Sequence, residues 1–396
     1  MSAAQSRPKR AAAAATATAI NASLKEQDQK IVEEPQDASP TSKRKRAGGG
    51  GLQATLEMPT PGFEISPKLD EAAILDMTRQ LKESMVPPDQ SNFRVAAICT
   101  FRHQGRLRAI AGANSEPCEL CGAICAERSA LVQLRLMRSP PLVECVYIVA
   151  DSEEPITPGM LCREYMSDTY CTPETKVVTA GAADRPKVRA TLGELYPCPA
   201  PLQRVAREEL AATAERLGTA GADGVERFFA REGDAGRRLA RLFAHLVLQA
   251  TAESRSAVLH PLRLAAGLLL PDGAEVTAAQ HQALEYGCSV HPVTLLCPQL
   301  RARRGEEAAA HSWLMVVDQY GNLHPPSGTA RAMLVETGWA ALRVLIHDAE
   351  GEVRTHTAAE LAPMVPRLAE LLGDGAANGT PTNAQKRAAA LLEATK

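Results

Sequence analysis

The sequence predicts a mixed α/β protein, a sandwich of sheet and helices that occurs twice along the chain. Three observations predict it. Short apolar runs of strand length alternate with helical periodicities from Lys68 onward. The order of these segments recurs after about 165 residues. A tail without apolar periodicity precedes the first repeat, and a low-complexity tail follows the second.

Residues 1–62 are rich in Ala, Ser, Thr and Pro, include Ala47-Gly-Gly-Gly-Gly51, and are expected to form a disordered tail. The first sandwich is expected over residues 63–202. Leu69, Ala72, Ile74, Met77, Leu81 and Met85 recur at helical spacing and stop before Pro87-Pro88. Phe93 to Phe101 reads as a strand, Gln104-Gly105 as a turn, and Leu107 to Ala111 as the hairpin partner. Cys125 to Met137 reads as a helix, Cys145 to Ala150 as a buried strand, Cys162 to Asp168 as a helix and Lys176 to Ala180 as a strand. Residues 203–234 read as a helical linker broken at Gly218 to Gly224. The second copy, residues 235–372, opens with an amphipathic helix over Arg237 to Thr251. Leu262-Arg-Leu-Ala-Ala266 then echoes Phe93-Arg-Val-Ala-Ala97, Leu314 to Asp318 echoes the strand ending in Asp151, and Pro325 to Arg331 lies where Thr157 to Arg163 lies. Residues 373–396 read as a low-complexity tail.

Composition excludes several classes. Net charge is −2, from 44 basic and 46 acidic residues, so no domain-wide basic field calls for nucleic acid as a partner. No apolar run approaches the roughly 20 residues of a membrane span, and no secretory signal pattern opens the sequence. A soluble intracellular protein is expected, its ten cysteines being reduced thiols or metal ligands rather than a disulfide framework. Arg7-Pro-Lys-Arg10 and Ser42-Lys-Arg-Lys-Arg46 suit a nuclear address, against a cytoplasmic default, and the acid-free first 25 residues equally suit an organellar transit peptide.

The chemistry concentrates at Cys125-Ala-Glu127 and Pro158-Gly-Met-Leu-Cys162. A cysteine two residues before a glutamate at a helix start sets a thiolate, favoured by the helix N-terminus, beside a proton-carrying group. Four motifs then occur in order: Ser91-Asn-Phe-Arg-Val-Ala-Ala97, Gly112-Ala-Asn-Ser-Glu116, Ile124-Cys-Ala-Glu-Arg-Ser-Ala130 and Pro158 to Arg163. Over about residues 68–200 the chain thereby resembles the cytidine deaminase family, in its cysteine-ligated nucleoside branch. The resemblance implies a three-layer α-β-α cytidine-deaminase-like sandwich and one zinc ion per chain. It implies hydrolysis of cytidine or deoxycytidine to the uracil nucleoside and ammonia, in pyrimidine salvage. Glu127 would be the proton shuttle, Cys125 and Cys162 zinc ligands, and Arg128 a donor to the ligating thiolates. Asn114 and Glu116 would bind the sugar hydroxyls, and Phe93 would wall the pyrimidine.

One departure matters. The family follows the proline with a third ligand cysteine, and Gly159 stands there. Cys121 or Cys118 is the candidate replacement, with packed or exposed thiols as the alternative. Equally open are loop fixing by Asn114 and Glu116, a plain first-turn carboxylate at Glu127 and a core role for Phe93. A non-catalytic nucleoside-binding or scaffold protein is therefore the alternative function. Nucleic-acid editing ranks last, because no basic, aromatic-studded face accompanies the fold.

The second copy is expected to be degenerate. Cys288-Ser-Val290 is aligned with Cys125-Ala-Glu127, Ser327 with Gly159, Ala330 with Cys162, and Gln280 and Gln282 with Asn114 and Glu116. His291 is expected to cap or pack rather than bind metal, and Arg163 and Arg331 to share a structural role. This layout resembles the two-domain, dimeric subgroup of the family and implies a homodimer with pseudo-222 symmetry.

Overall fold

Alternation along the central strands decides the layering. In the computed structural model, which describes residues 60–117, 122–182, 187–252, 260–283, 286–301, 306–365 and 387–388, the first copy begins with β1 (Phe63–Glu64) and helix α1 (Glu71–Ser84). Asp70 caps α1 by accepting from Ala73 N at 2.9 Å. Then follow β2 (Val95–His103), β3 (Arg106–Ala113), α2 (Ala126–Leu131), β4 (Val143–Ala150), α3 (Met160–Asp168), β5 (Lys176–Ala180), β6 (Val188–Thr191) and α4 (Leu192–Leu195). Their sheet runs β1-β3-β2-β4-β5-β6. On β2, Ala97, Cys99 and Phe101 join Ala126, Ala130 and Met160 in one core. Ile98, from the opposite face, joins Ile74 and Leu75 of α1 in another. The sheet is thus covered on both faces, giving three layers.

The second copy comprises α5 (Arg207–Arg231), α6 (Gly233–Ala252), β7 (Leu264–Leu269), β8 (Glu275–Ala279), α7 (Pro292–Arg301), α8 (Glu306–Ala310), β9 (Trp313–Asp318), α9 (Gly328–Glu336), β10 (Arg343–His347) and β11 (Val353–Thr357). Its sheet, β11-β10-β9-β7-β8, repeats the first in order and direction. The pairs β2/β4 and β7/β9 are antiparallel, β4/β5 and β9/β10 are parallel, and β5/β6 and β10/β11 are antiparallel. Arg94 N donates to Asp151 Oδ2 at 2.8 Å, and Arg263 N donates to Gln319 Oε1 at 3.0 Å at the matching strand starts. Leu239 and Leu242 of α6 cover one face with Ala265 and Met315. Val293 and Leu296 of α7 cover the other with Ala266 and Val316.

The expected break at Gly218 to Gly224 does not occur, since α5 runs unbroken through it. A Cβ on Gly218 would lie 2.1 Å from Tyr320 O, and one on Gly224 would lie 2.3 Å from Gly351 O. The glycines therefore let α5 press onto the loops of the second sheet, and the stretch expected as a linker packs there. The chain turns instead at Gly233, with φ 56°. Gly218→Val is expected to cost at least about 2 kcal/mol through overpacking against backbone. Urea unfolding measures it, and a loss below about 0.5 kcal/mol would contradict this contact.

Shorter differences are local. The strand begins at Val95 rather than Phe93, with Asn92 at φ 54° just before it. The helix after Cys125 tightens into a 3₁₀ turn over Val132–Leu136. Among the described residues, no helix is long and apolar enough to cross a membrane. Both tails with their basic clusters, apart from residues 60–62 and 387–388, lie outside the described residues.

Candidate active site

Two helix starts converge on the inner edge of the first sheet. Cys125 is the N-cap residue of α2, and Gly159 that of α3, which carries Cys162 in its first turn. Gly112 of β3 sets the depth of α2, because a Cβ there would lie 2.2 Å from Ala126 O. With that close approach, ligand atoms of Cys125, Glu127 and Cys162 lie within 4.8 Å of one another. Cys162 is fully buried, Glu127 is 4% exposed, and Cys125 is half-buried.

The electrostatics follow from this crowding. The Cys162 thiol donates to Cys125 and, with the Arg128 guanidinium, lowers the Cys125 thiol to about 6. The same contact, together with burial, raises Cys162. Arg128 Nη2 lies 3.9 Å from Cys125 Sγ and 3.0 Å from Ala123 O. Burial, with the nearby Cys125 sulfur, pushes the Glu127 carboxyl up to about 7. In metal-stripped protein, the stability contributed by protonated Glu127 is therefore full below about pH 4.5 and is lost as pH rises through about 7. Cys125 acts in the opposite direction between about 6 and 9, but it is common to parent and Glu127→Gln. The Gln variant is expected to gain about 3 kcal/mol on the parent between pH 4.5 and 8. Denaturant unfolding of the chelator-treated pair tests this, and a pH-independent difference would contradict the burial of Glu127.

The donor set fits a thiophilic divalent cation at two corners, since Zn–S bonds of about 2.3 Å can bridge two sulfurs at such separations. The third corner falls to Gly159, which has no donor atom, and a Cβ added there would meet nothing within 4 Å. Cys118 and Cys121 lie outside the described residues.

The remaining predicted residues gather at the start of β2. Asn114 accepts from Val95 N at 2.8 Å through Oδ1 and donates to Phe93 O at 2.9 Å through Nδ2. Glu116 accepts from Ser91 N at 3.0 Å and from Asn114 Nδ2 at 3.4 Å. Both side chains therefore hold the loop that carries the half-buried Phe93. Arg163, expected to share a structural role with Arg331, is fully buried. It donates to Pro158 O at 2.7 Å, to Leu195 O at 2.7 Å and to Met364 O at 3.0 Å, fixing the turn before Cys162.

The second copy places other groups at these points. The isolated bridge Ser115↔Ile124 has its counterpart in His281↔Val290. His291, just before α7, therefore occupies the place of Cys125, Val293 that of Glu127, and Ala330 that of Cys162. This shifts the expected Cys288 alignment by three residues. His291 Nδ1 accepts from Val293 N at 3.3 Å, a capping contact. Among the described residues, the first-copy group is the only one of its kind.

No family model matches the chain. Solved structures similar to it include the cytidine deaminase of Burkholderia pseudomallei, at 23% identity and TM-score 0.30, covering 33% of this chain and 99% of that one. The cytidine deaminase of Mycobacterium leprae matches at 27% identity and TM-score 0.26, covering 31% of this chain and 93% of that one. That of Mycobacterium tuberculosis matches at 19% identity and TM-score 0.27, covering 33% and 97%.

Proposed function

We propose that the first copy hydrolyses the exocyclic amine of cytidine or deoxycytidine, giving the uracil nucleoside and ammonia, a step of pyrimidine salvage. The observation that carries the reading is the convergence of Cys125, Glu127 and Cys162 within 4.8 Å beneath two helix starts. Cys125 and Cys162 would hold a zinc ion, which when bound acidifies water and so supplies a nucleophile at neutral pH. Glu127, buried and pushed up to about 7, is suited to both halves of the proton transfer. It takes one proton from water and delivers it to ring N3, then takes the second from the hydroxyl added at C4 and passes it to the amine as the C4–N bond breaks and the carbonyl forms. Arg128 steadies the negative charge on Cys125. Phe93 offers an apolar wall for the ring, and Glu116, tied to the same loop, a carboxylate for the sugar. The second copy, with Val293 at the place of Glu127, contributes cover rather than chemistry, and a homodimer would complete the arrangement.

Gly159 favours a second reading, a nucleoside-binding scaffold without turnover. Cytidine hydrolysis followed alongside bound metal separates the two. About one zinc per chain with ammonia release is expected; a chain that binds cytidine with neither zinc nor ammonia belongs to the scaffold reading.

A further inference from the structure

A cavity of about 410 Å³, within the size range of small-molecule sites, is lined jointly by the second copy, the end of the first and the stretch between them. Leu262, Leu264 and Gln280 line it, and they occupy the positions of Phe93, Val95 and Asn114. Gln280 N donates to Leu264 O at 2.8 Å, just as Asn114 N donates to Val95 O at 3.1 Å. His291, Val293 and Ala330 are not among the residues that line it.

Its lining is apolar on its faces and polar at its edges. Leu202, from the stretch connecting the copies, adds to Leu262 and Leu264. Gln280 Oε1 has no hydrogen-bond partner among the described residues. His324 uses Nε2 on the Asp318 carboxylate at 2.9 Å, so its neutral form keeps the Nδ1 lone pair as an acceptor. Asp168, from the C-terminal end of α3, and Arg207 also line it, and burial pushes the Asp168 carboxyl up to about 7, so it can donate as well as accept. Amide, carboxyl and acceptor groups around leucine faces complement a flat, uncharged heterocycle carrying N–H and C=O edges. The volume leaves room for an attached sugar.

We propose that this cavity binds an uncharged nucleoside as an effector, without converting it. Conversion is barred because His291, Val293 and Ala330 replace the sulfur and carboxylate groups of the first copy. Influence on the first copy is direct. Asp168 shares α3 with Cys162, and midway along that helix the Glu164 carboxylate accepts from Gly328 N of α9 at 3.0 Å. A ligand engaging Asp168 thus biases the helix that presents Cys162. The binding itself does not rest on the first copy being active.

Equilibrium dialysis of the full chain against labelled uridine tests the site, with an Asn114→Ala background that cripples the first-copy pocket. About one equivalent is expected to remain bound in that background. Leu264→Trp, which fills the cavity, should remove it, and Gln280→Leu should weaken it about tenfold. Unlabelled inosine should displace it. Circular dichroism melts establish that each variant is folded, and Gln280→Leu decides if Leu264→Trp is not. Uridine binding that disappears with Asn114→Ala places the ligand in the first copy alone and overturns the proposal. So does binding indifferent to the second-copy substitutions, or no binding at all.

Discussion

Glu127→Gln is expected to lower ammonia release from cytidine by at least about 10³-fold while leaving zinc content unchanged. Proton transfer by a positioned side chain contributes about 10²–10⁴-fold, and here no substitute stands by. Glu127 is the only carboxylate in the described ligand group, and at 4% exposure it leaves little room for bulk water to stand in. Glutamine keeps the shape and removes the titratable oxygen. Cys125 and Cys162, the proposed zinc ligands, are untouched, so metal analysis separates two roles. Lost turnover with retained zinc fits the shuttle. Loss of both would make Glu127 a ligand, and unimpaired turnover would end the proposed mechanism.

Gly159→Cys is expected to tighten zinc at least about 100-fold, worth about 2.7 kcal/mol of added stability in zinc excess. Gly159 has φ −62° and ψ 158°, a conformation open to any residue, and nothing lies within 4 Å of an added Cβ. The new sulfur would sit at the N-cap of α3, where the helix terminus favours thiolate. Competition against a chelator with a zinc-responsive dye reads the change. An unchanged affinity would mean either that another donor already fills the third corner or that the two sulfurs do not share an ion. A Cys162→Ser control distinguishes these, since only in the first case does its loss release zinc.

Much of the fold was legible because it depends on local periodicity. Ala97, Cys99 and Phe101 against Ile98 and Thr100 announce a two-faced strand, and Gln104-Gly105, both at positive φ, announces the hairpin turn. Cys125 and Glu127 were legible through their neighbours, because a Cys-x-Glu alone is weak and the four motifs in order carry the resemblance. What failed depended on partners remote in sequence. Gly218, Gly221 and Gly224 look like a break by propensity, and only the backbone at Tyr320 and Gly351 explains a helix there. The slip of three residues at Cys288 came from matching sulfur to sulfur. Pro292, favourable as the first residue of a helix, marks His291 as the residue that occupies the Cys125 place. Asn114 was read for its chemistry, whereas both ends of its amide are committed to Val95 and Phe93.

Two arginines knit the copies reciprocally. Arg163 reaches Pro363 O at 2.5 Å and Met364 O at 3.0 Å beyond the second sheet, while Arg331 reaches Pro197 O at 2.7 Å and Cys198 O at 2.6 Å beyond the first. Each half thus supplies part of the acceptor set of the other's interior cation. Parting the halves would leave Arg163 with Pro158 O, Leu195 O and Thr157 Oγ1, and Arg331 with Pro326 O and Leu361 O, so both buried guanidinium groups would lose acceptors at once. A copy without the Cys-Glu-Cys group in this way still contributes to its sibling: it helps to close the electrostatics of a buried cation there.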